Sequence, residues 1–331
     1  MKKIKIGLIG CGKITSSSHA PEFVKLAGSC QITALFDIKS KVAEELQKDL
    51  SSKVTVYSSV EKLLNSDVDG VVISTPNTFH HPLTMQALAA GKHVLIEKPM
   101  AVDLNQADEM IAAAKRNGLV LQVNQSLRFS PPYCKIKALI EAGKIGEIIH
   151  ARCLRASGSS PDKGWSPGAT WFIQKKFRGG LVMDIAVHMA DFLGWCCGPA
   201  KNLYSVNSTK IIGNDVPDNV TTLINFEQGA TAVLELSWTI PCGGGYLEFY
   251  GTEGTIRMGF DGGTIEMMQT GKKYRKIKTK QVKSSQKCFI DAINGRYSTP
   301  VSGEIGRHAL SYCLAIEKSG ISGMAEPVEL I

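Results

Sequence analysis

The feature that most restricts the fold of this chain lies at its start. Ile4–Ile9 is a short apolar run, and Gly10-Cys11-Gly12-Lys13-Ile14-Thr15 follows it directly. A buried strand entering two closely spaced glycines and then a helix brings backbone N–H groups and a helix N-terminus to one place. The first glycine permits the tight turn, and the second lets a bound group approach the backbone. Thr15 fills a slot where a smaller residue usually packs helix on strand, so a slightly displaced turn is expected.

A strand–helix alternation follows. Residues 31–36, 54–57, 69–74, 93–97 and 119–123 read as further short apolar strands, with helical patterns at 41–50, 60–64, 82–90 and 104–115 between them. This pattern predicts an α/β Rossmann fold, a doubly wound parallel sheet that takes ligands at the carboxyl ends of its strands. Asp37 ends the second strand, 22 residues past Thr15. A carboxylate there would hold the adenosine ribose of a dinucleotide and repel a 2′-phosphate. NAD is therefore favoured, while Lys39 keeps NADP possible. Asp37 also reads as a cap for the helix at 41–50.

The fifth strand runs His93-Val94-Leu95-Ile96-Glu97-Lys98-Pro99. Pro99 biases Lys98 toward extended backbone, which puts Lys98 at the carboxyl edge of the sheet. Thr75-Pro76-Asn77 and His80 leave the fourth strand at the same edge and are candidates for the nicotinamide side of the cofactor. Taken alone, Asn77 is a turn former and His80 an ordinary helix-start residue.

The length of 331 residues predicts two domains, placed at 1–124 and 125–331. A hydrophobic content of 44% with 21% charged residues is ordinary for a globular chain. The net charge of +8 raises the question of nucleic acid. The main basic cluster, Lys272-Lys273-Tyr274-Arg275-Lys276, reads as a solvated hairpin without any nucleic-acid motif, so no such partner is expected. Nine scattered cysteines with no CxxC pair predict neither disulfides nor a metal site, and point to the cytoplasm. Met1-Lys2-Lys3 leads into the first strand rather than a signal peptide, and no apolar run of about 18 residues predicts a membrane span.

In the second half, 133–142 reads as a helix and 146–156 as a new strand. A Gly/Ser/Pro-rich loop at 157–169 holds Trp165, and Trp171-Phe172 follow. Gly179-Gly180 allow a close backbone approach before a helix on which Asp184, His188 and Asp191 share one face. By itself, a lone histidine on such an apolar helix reads as a satisfied core residue. Segments at 203–208, 219–227, 231–239, 245–251, 254–258 and 264–268 read as strands joined by turns such as Glu227-Gln228-Gly229. They predict an α+β second domain with a large, mostly antiparallel open sheet. Helices are expected at 285–295 and 303–319.

Gly10-Cys11-Gly12-Lys13-Ile14, Thr75-Pro76-Asn77 with His80, Glu97-Lys98-Pro99, Arg128-Phe129 and Gly179-Gly180…Asp184…His188 together resemble the Gfo/Idh/MocA oxidoreductases. That family includes glucose-fructose oxidoreductase and inositol 2-dehydrogenase. Thr15 departs from its pattern, as does Arg178 where many members have a third glycine. The resemblance implies hydride transfer between NAD(P) and a carbinol carbon of a sugar, polyol or cyclitol. It puts Lys98, Asp184 and His188 at catalytic positions and leaves Asp191 structural. His188 is the expected general base, oriented by Asp184, with Lys98 stabilising alkoxide charge; Lys98 as the main proton acceptor stays open. Gly10, Gly12, Lys13, Ile14, Asp37, Thr75, Pro76, Asn77, His80, Glu97 and Lys98 face the cofactor in this reading, with Glu97 paired to a nearby cation. Arg128, Trp165 and Trp171 join the catalytic set around the substrate. The resemblance further implies a C-terminal helix returning to the first domain, and a homodimer or homotetramer formed through the open sheet. Two alternatives remain: elimination or glycoside cleavage with retained cofactor, and a non-catalytic NAD(P)-binding regulator.

Overall fold

The computed structural model describes residues 3–50, 53–211, 213–259 and 263–329. The chain forms two units: Met1–Gln125 with Lys283–Arg307, and Ser126–Val282 with His308–Ile331.

The first unit opens with β1 (Ile4–Ile9), α1 (Ala20–Lys25), β2 (Cys30–Phe36), α2 (Ser40–Leu50), β3 (Thr55–Val56) and α3 (Val60–Leu64). It continues through β4 (Gly70–Ile73), α4 (His80–Ala89), β5 (His93–Glu97), α5 (Leu104–Arg116) and β6 (Leu121–Asn124). All six strands are parallel, in the order β3-β2-β1-β4-β5-β6. This is the doubly wound order whose crevice, between β1 and β4, takes a dinucleotide. The central strands are continuous apolar runs because helices cover both faces, and every residue of β4 is buried. Local chemistry sets the helix ends. The Ser59 hydroxyl accepts from the Lys62 N–H to start α3, and Asp103 accepts from the Gln106 N–H at 2.9 Å to start α5. Gly91, at φ +72°, ends the turn after α4.

The second unit contains α6 (Pro131–Glu141), β7 (Ile148–Ala156), α7 (Val187–Cys197), β8 (Ala200–Ser208), β9 (Asn219–Phe226), β10 (Thr231–Ser237) and β11 (Gly244–Gly251). Next come β12 (Gly254–Gly259), β13 (Ile265–Gln269) and β14 (Arg275–Ile277). The chain ends with α8 (Ser285–Ile293), α9 (Gly303–Ser322) and β15 (Glu326–Pro327). Nine strands line up as β14-β13-β12-β11-β7-β10-β9-β8-β15. Only β7 and β10 pair in parallel; the other pairs are antiparallel. Along β9 burial alternates strictly, as expected of a sheet covered on one face. The core side packs around α7, where Phe192 meets Tyr133 at 4.9 Å and Phe249 at 5.9 Å between ring centroids. The uncovered side carries Tyr204, Val206 and Leu223, exposed by 43%, 58% and 45%. Lys175–Cys197 is apolar and long enough to span a bilayer, yet 83% of its apolar window is buried, as in a core helix. The basic cluster sits on the turn and edge strand β14, where lysines discourage edge-to-edge pairing.

The sequence reading gave all of 125–331 to the second domain, whereas Lys283–Arg307 groups with the first unit. The reason is apolar. Phe289 and Ile290 of α8 are fully buried in a cluster with Ile6, Leu8, Phe23, Leu35, Val72 and Leu95. Polar contacts add to this: the Gln122 side chain donates to Ser285 O at 2.9 Å, and the Val123 N–H donates to Val301 O at 3.0 Å. Such a join links residues far apart in the chain, and no local pattern announces it. Replacing Phe289 with alanine should therefore destabilise the dinucleotide unit by about 3–5 kcal/mol, read as a lowered urea midpoint by a probe in that unit.

Candidate active site

In the first unit the glycine turn joins three strands. Gly10 has φ +88°, and a Cβ there would lie 2.5 Å from the Ser74 carbonyl oxygen. Only glycine lets the end of β1 lie against the end of β4. A Cβ on Gly12 would meet nothing within 4 Å, so the turn is open on that side and a bound group can come up to the backbone. Lys13 is exposed beside it and Ile14 half-buried. Asp37 accepts from the Cys11 N–H at 2.8 Å and from the Lys39 N–H at 2.9 Å. It thus ties the end of β2 to the turn ahead of α2, and its carboxylate keeps lone pairs for a ribose hydroxyl. Thr15 is accommodated without the smaller residue: it is fully buried and donates to Gly10 O at 2.6 Å. The turn it starts, Thr15–His19, is π-helical, a wider coil than the α-helix that follows.

At the ends of β4 and β5 the donors and acceptors are distributed differently from the sequence expectation. Thr75 and Pro76 are half-buried and Asn77 is buried at the start of the next loop. The Ser74 and Thr75 hydroxyls are buried and meet no partner among the described residues. Together with the open Gly12, they fit a dinucleotide lying along this edge. His80, expected to face the cofactor, is instead a brace: its Nδ1 lies 2.7 Å from Pro99 O and its Nε2 2.8 Å from Thr75 O. Burial lowers its pKa and outweighs the two carbonyls and Glu97, which raise it. The neutral ring donates to one of the two carbonyls at a time. The Lys98–Pro99 peptide is cis. Glu97 is also not an open cofactor ligand. It is buried, accepts from His19 Nε2 at 2.9 Å and from Asn124 Nδ2 at 2.5 Å, and its second oxygen faces the Lys98 N–H at 3.3 Å. The Gln286 amide of α8 donates in turn to His19 Nδ1 at 2.9 Å, which leaves the Nε2 proton for Glu97. Burial raises the Glu97 pKa, but His19, Lys98 and Asn124 outweigh it and hold the carboxyl below its ordinary value.

Sequence reasoning missed His19, Asn124 and Gln286. His19 follows the polar run Thr15-Ser16-Ser17-Ser18, where nothing marks it as buried, and Gln286 lies 267 positions away from it.

In the second unit Asp184 is buried and His188 half-buried. They sit on one continuous helix whose first turn, Val182–Ala186, is again π-helical. The Asp184 N–H donates to Gly180 O at 2.9 Å. A Cβ on Gly179 would lie 2.4 Å from Phe172 O, so the close approach expected of that glycine is made here. Arg178 has φ +54°, a left-handed position that glycine adopts freely and arginine does not. Its guanidinium donates to Glu317 at 2.7 Å, and burial raises the Glu317 pKa despite that cation. Arg128, expected at the substrate, is committed elsewhere. Its Nε and Nη2 both donate to Asp191 at 2.9 Å, and it lies over the Trp195 ring at 4.7 Å. Asp191 is accordingly structural. Trp171 stacks on the buried Phe172 at 3.7 Å, while Trp165, 47% exposed, meets the same ring edge-on at 5.4 Å. Lys98 belongs to the first unit, and Asp184 and His188 to the second.

Comparison with known proteins bears on the family and the fold. Residues 4–125 match the model of the GFO_IDH_MocA oxidoreductase family, NAD-binding Rossmann fold, and residues 133–257 match a GFO/IDH/MocA C-terminal domain. The 1,5-anhydro-D-fructose reductase of Ensifer adhaerens is 31% identical over 82% of this chain and 84% of its own. The scyllo-inositol 2-dehydrogenase (NAD(+)) of Bacillus subtilis is 28% identical over 78% of this chain and 74% of its own. Among solved structures, levoglucosan dehydrogenase in complex with NADH and levoglucosan superposes with a TM-score of 0.90 over all of both chains, at 23% identity, which speaks for the fold alone.

The Glu97 carboxylate supplies a pH test. Its pKa is held below the ordinary 4.5, so its stabilisation is complete above that value and is lost as pH falls through the folded value. Glu97→Gln should flatten the fall in urea midpoint between about pH 5 and pH 3, with little change in slope above it.

Proposed function

Because this chain belongs to the GFO_IDH_MocA oxidoreductase family, with an NAD-binding Rossmann domain, we propose that it transfers a hydride between nicotinamide and a carbinol carbon of a sugar, polyol or cyclitol. The observation that carries the reading is the position of Lys98. It stands one residue past the last paired position of β5, on the same carboxyl edge as the glycine turn. Relatives named as reductases and dehydrogenases of anhydrosugars and inositols support the substrate class.

When bound, NAD supplies the acceptor for the hydride. Gly10, Gly12, Lys13 and Ile14 hold the pyrophosphate at the helix start, and Asp37 accepts from the adenosine ribose. Thr75, Pro76 and Asn77 flank the nicotinamide half. His188 takes the proton from the substrate hydroxyl, and Asp184, one turn earlier, orients it and accepts from a neighbouring hydroxyl. Lys98 donates to the reacting oxygen and stabilises its negative charge as it develops. Vicinal hydroxyls suit this set, since a carboxylate, an imidazole and an ammonium engage several at once.

The exposed apolar residues Tyr204 and Leu223, paired across β8 and β9, support self-association through the outer face of the sheet. No disulfide joins any of the nine cysteines among the described residues, which supports a reducing, cytoplasmic location.

Four measurements test these readings. Across a panel of inositols, aldoses and anhydrosugars with NAD and NADP, at least one substrate should yield reduced nicotinamide. Lys98→Met should lower turnover by about 10³-fold while NADH affinity stays within about twofold; lost NADH binding would assign the lysine to the cofactor instead. His188→Ala should remove the titration of the base from the pH–rate profile, and an unchanged profile would take His188 out of that role. Leu223→Glu should shift the sedimentation coefficient to that of a smaller species.

A further inference from the structure

One buried side chain at the carboxyl edge of the first unit takes no part in the hydrogen bonds around Glu97. Gln125 directly follows Asn124, the last residue of β6, and is 1% exposed. Neither its Nε2 nor its Oε1 meets a hydrogen-bond partner among the described residues. Buried amides are rarely left this way, because the lost hydration is not repaid. The other orphaned groups of this unit are mostly hydroxyls or one nitrogen of an otherwise engaged guanidinium. Gln125 alone among them is an amide, whose donor and acceptor sit on separate atoms and both lack a partner among the described residues.

Its place narrows what could satisfy it. The β5–β6 register runs from Val94↔Leu121 to Glu97↔Asn124. Gln125 therefore comes one position past the last pair, as Lys98 does on the neighbouring strand. The Gln125 N–H donates back to Val123 O at 2.9 Å, so the chain turns out of the sheet at this residue. Asp37 at the end of β2 assigns the adenosine half of a dinucleotide to β1–β3. The nicotinamide half then falls to β4–β6. A ligand that meets an amide's donor and acceptor together presents an acceptor and a donor side by side. The nicotinamide ring carries such a group, its primary carboxamide.

We propose that Gln125 recognises the nicotinamide carboxamide: its Nε2–H donates to the carboxamide oxygen and its Oε1 accepts from the carboxamide N–H. The inference rests on the NAD-binding reading of this edge. It gives Gln125 a binding and ring-orienting role, distinct from the charge stabilisation assigned to Lys98.

The test compares three ligands by titration calorimetry on the full chain: NAD, the 3-acetylpyridine analogue in which a methyl replaces the carboxamide NH₂, and ADP-ribose, which lacks the ring. The wild type should bind NAD about tenfold more tightly than the analogue. In Gln125→Leu that preference should fall to within about twofold, ADP-ribose affinity should be unchanged, and the melting temperature of the ligand-free protein should not drop. Gln125→Glu, nearly isosteric but without the donors, should weaken NAD and spare ADP-ribose. An undiminished preference in Gln125→Leu, or an equal loss of ADP-ribose binding in both variants, overturns the assignment. Failure of the wild type to bind ADP-ribose would overturn the NAD reading itself, and this inference with it.

Discussion

The candidate chemistry of the first unit depends on one buried carboxylate. Glu97 is nearly sealed from water, and an isolated charge there would be prohibitively costly. Its cost is offset by an imidazole from the glycine-turn helix and an amide from the adjacent strand. The Gln286 amide fixes which nitrogen of that imidazole carries the proton. The result is a chain of donors all pointing toward Glu97, with each group's orientation set by the next. Because Lys98 is the next residue, the same arrangement fixes where the strand ends and where the ammonium begins.

This network also links parts that serve different ends of the cofactor. His19 closes the π-helical turn that starts at Thr15, and Thr15 is bonded back to Gly10. His80 bridges the Thr75 and Pro99 carbonyls, and so ties the loop after β4 to the loop after β5. The carboxyl edge is thereby held by side chains on elements that are themselves packed, the condition under which a site keeps its geometry. Several residues that a motif reading gives to ligands serve this framework instead: Glu97 and His80 in the first unit, Arg128 in the second.

Much of the fold was legible because its signals are local. The extents of β1, α3 and β5 coincide with those read from the sequence, and the strand–helix alternation led to the parallel sheet. The large second sheet followed from strands separated by turn residues. The site was legible in part. The glycine turn, Asp37 and Lys98 stand where the order of strands requires them. The commitments of Glu97, His80 and Arg128 could not be read, since the partner of each is set by packing and not by spacing.

From the sequence alone come the order of elements, the carboxyl edge at which they deliver reactive side chains, and the residue types available there. Backbone propensity and apolar periodicity act within a few residues, so they are written along the chain. The tertiary structure decided which polar groups meet. It returned Ser285–Ile293 to the first core, set Gln286 against His19, and left the buried Gln125 amide without a hydrogen-bond partner among the described residues. Those outcomes follow from close packing between distant segments, where every buried donor must find an acceptor that linear spacing does not specify.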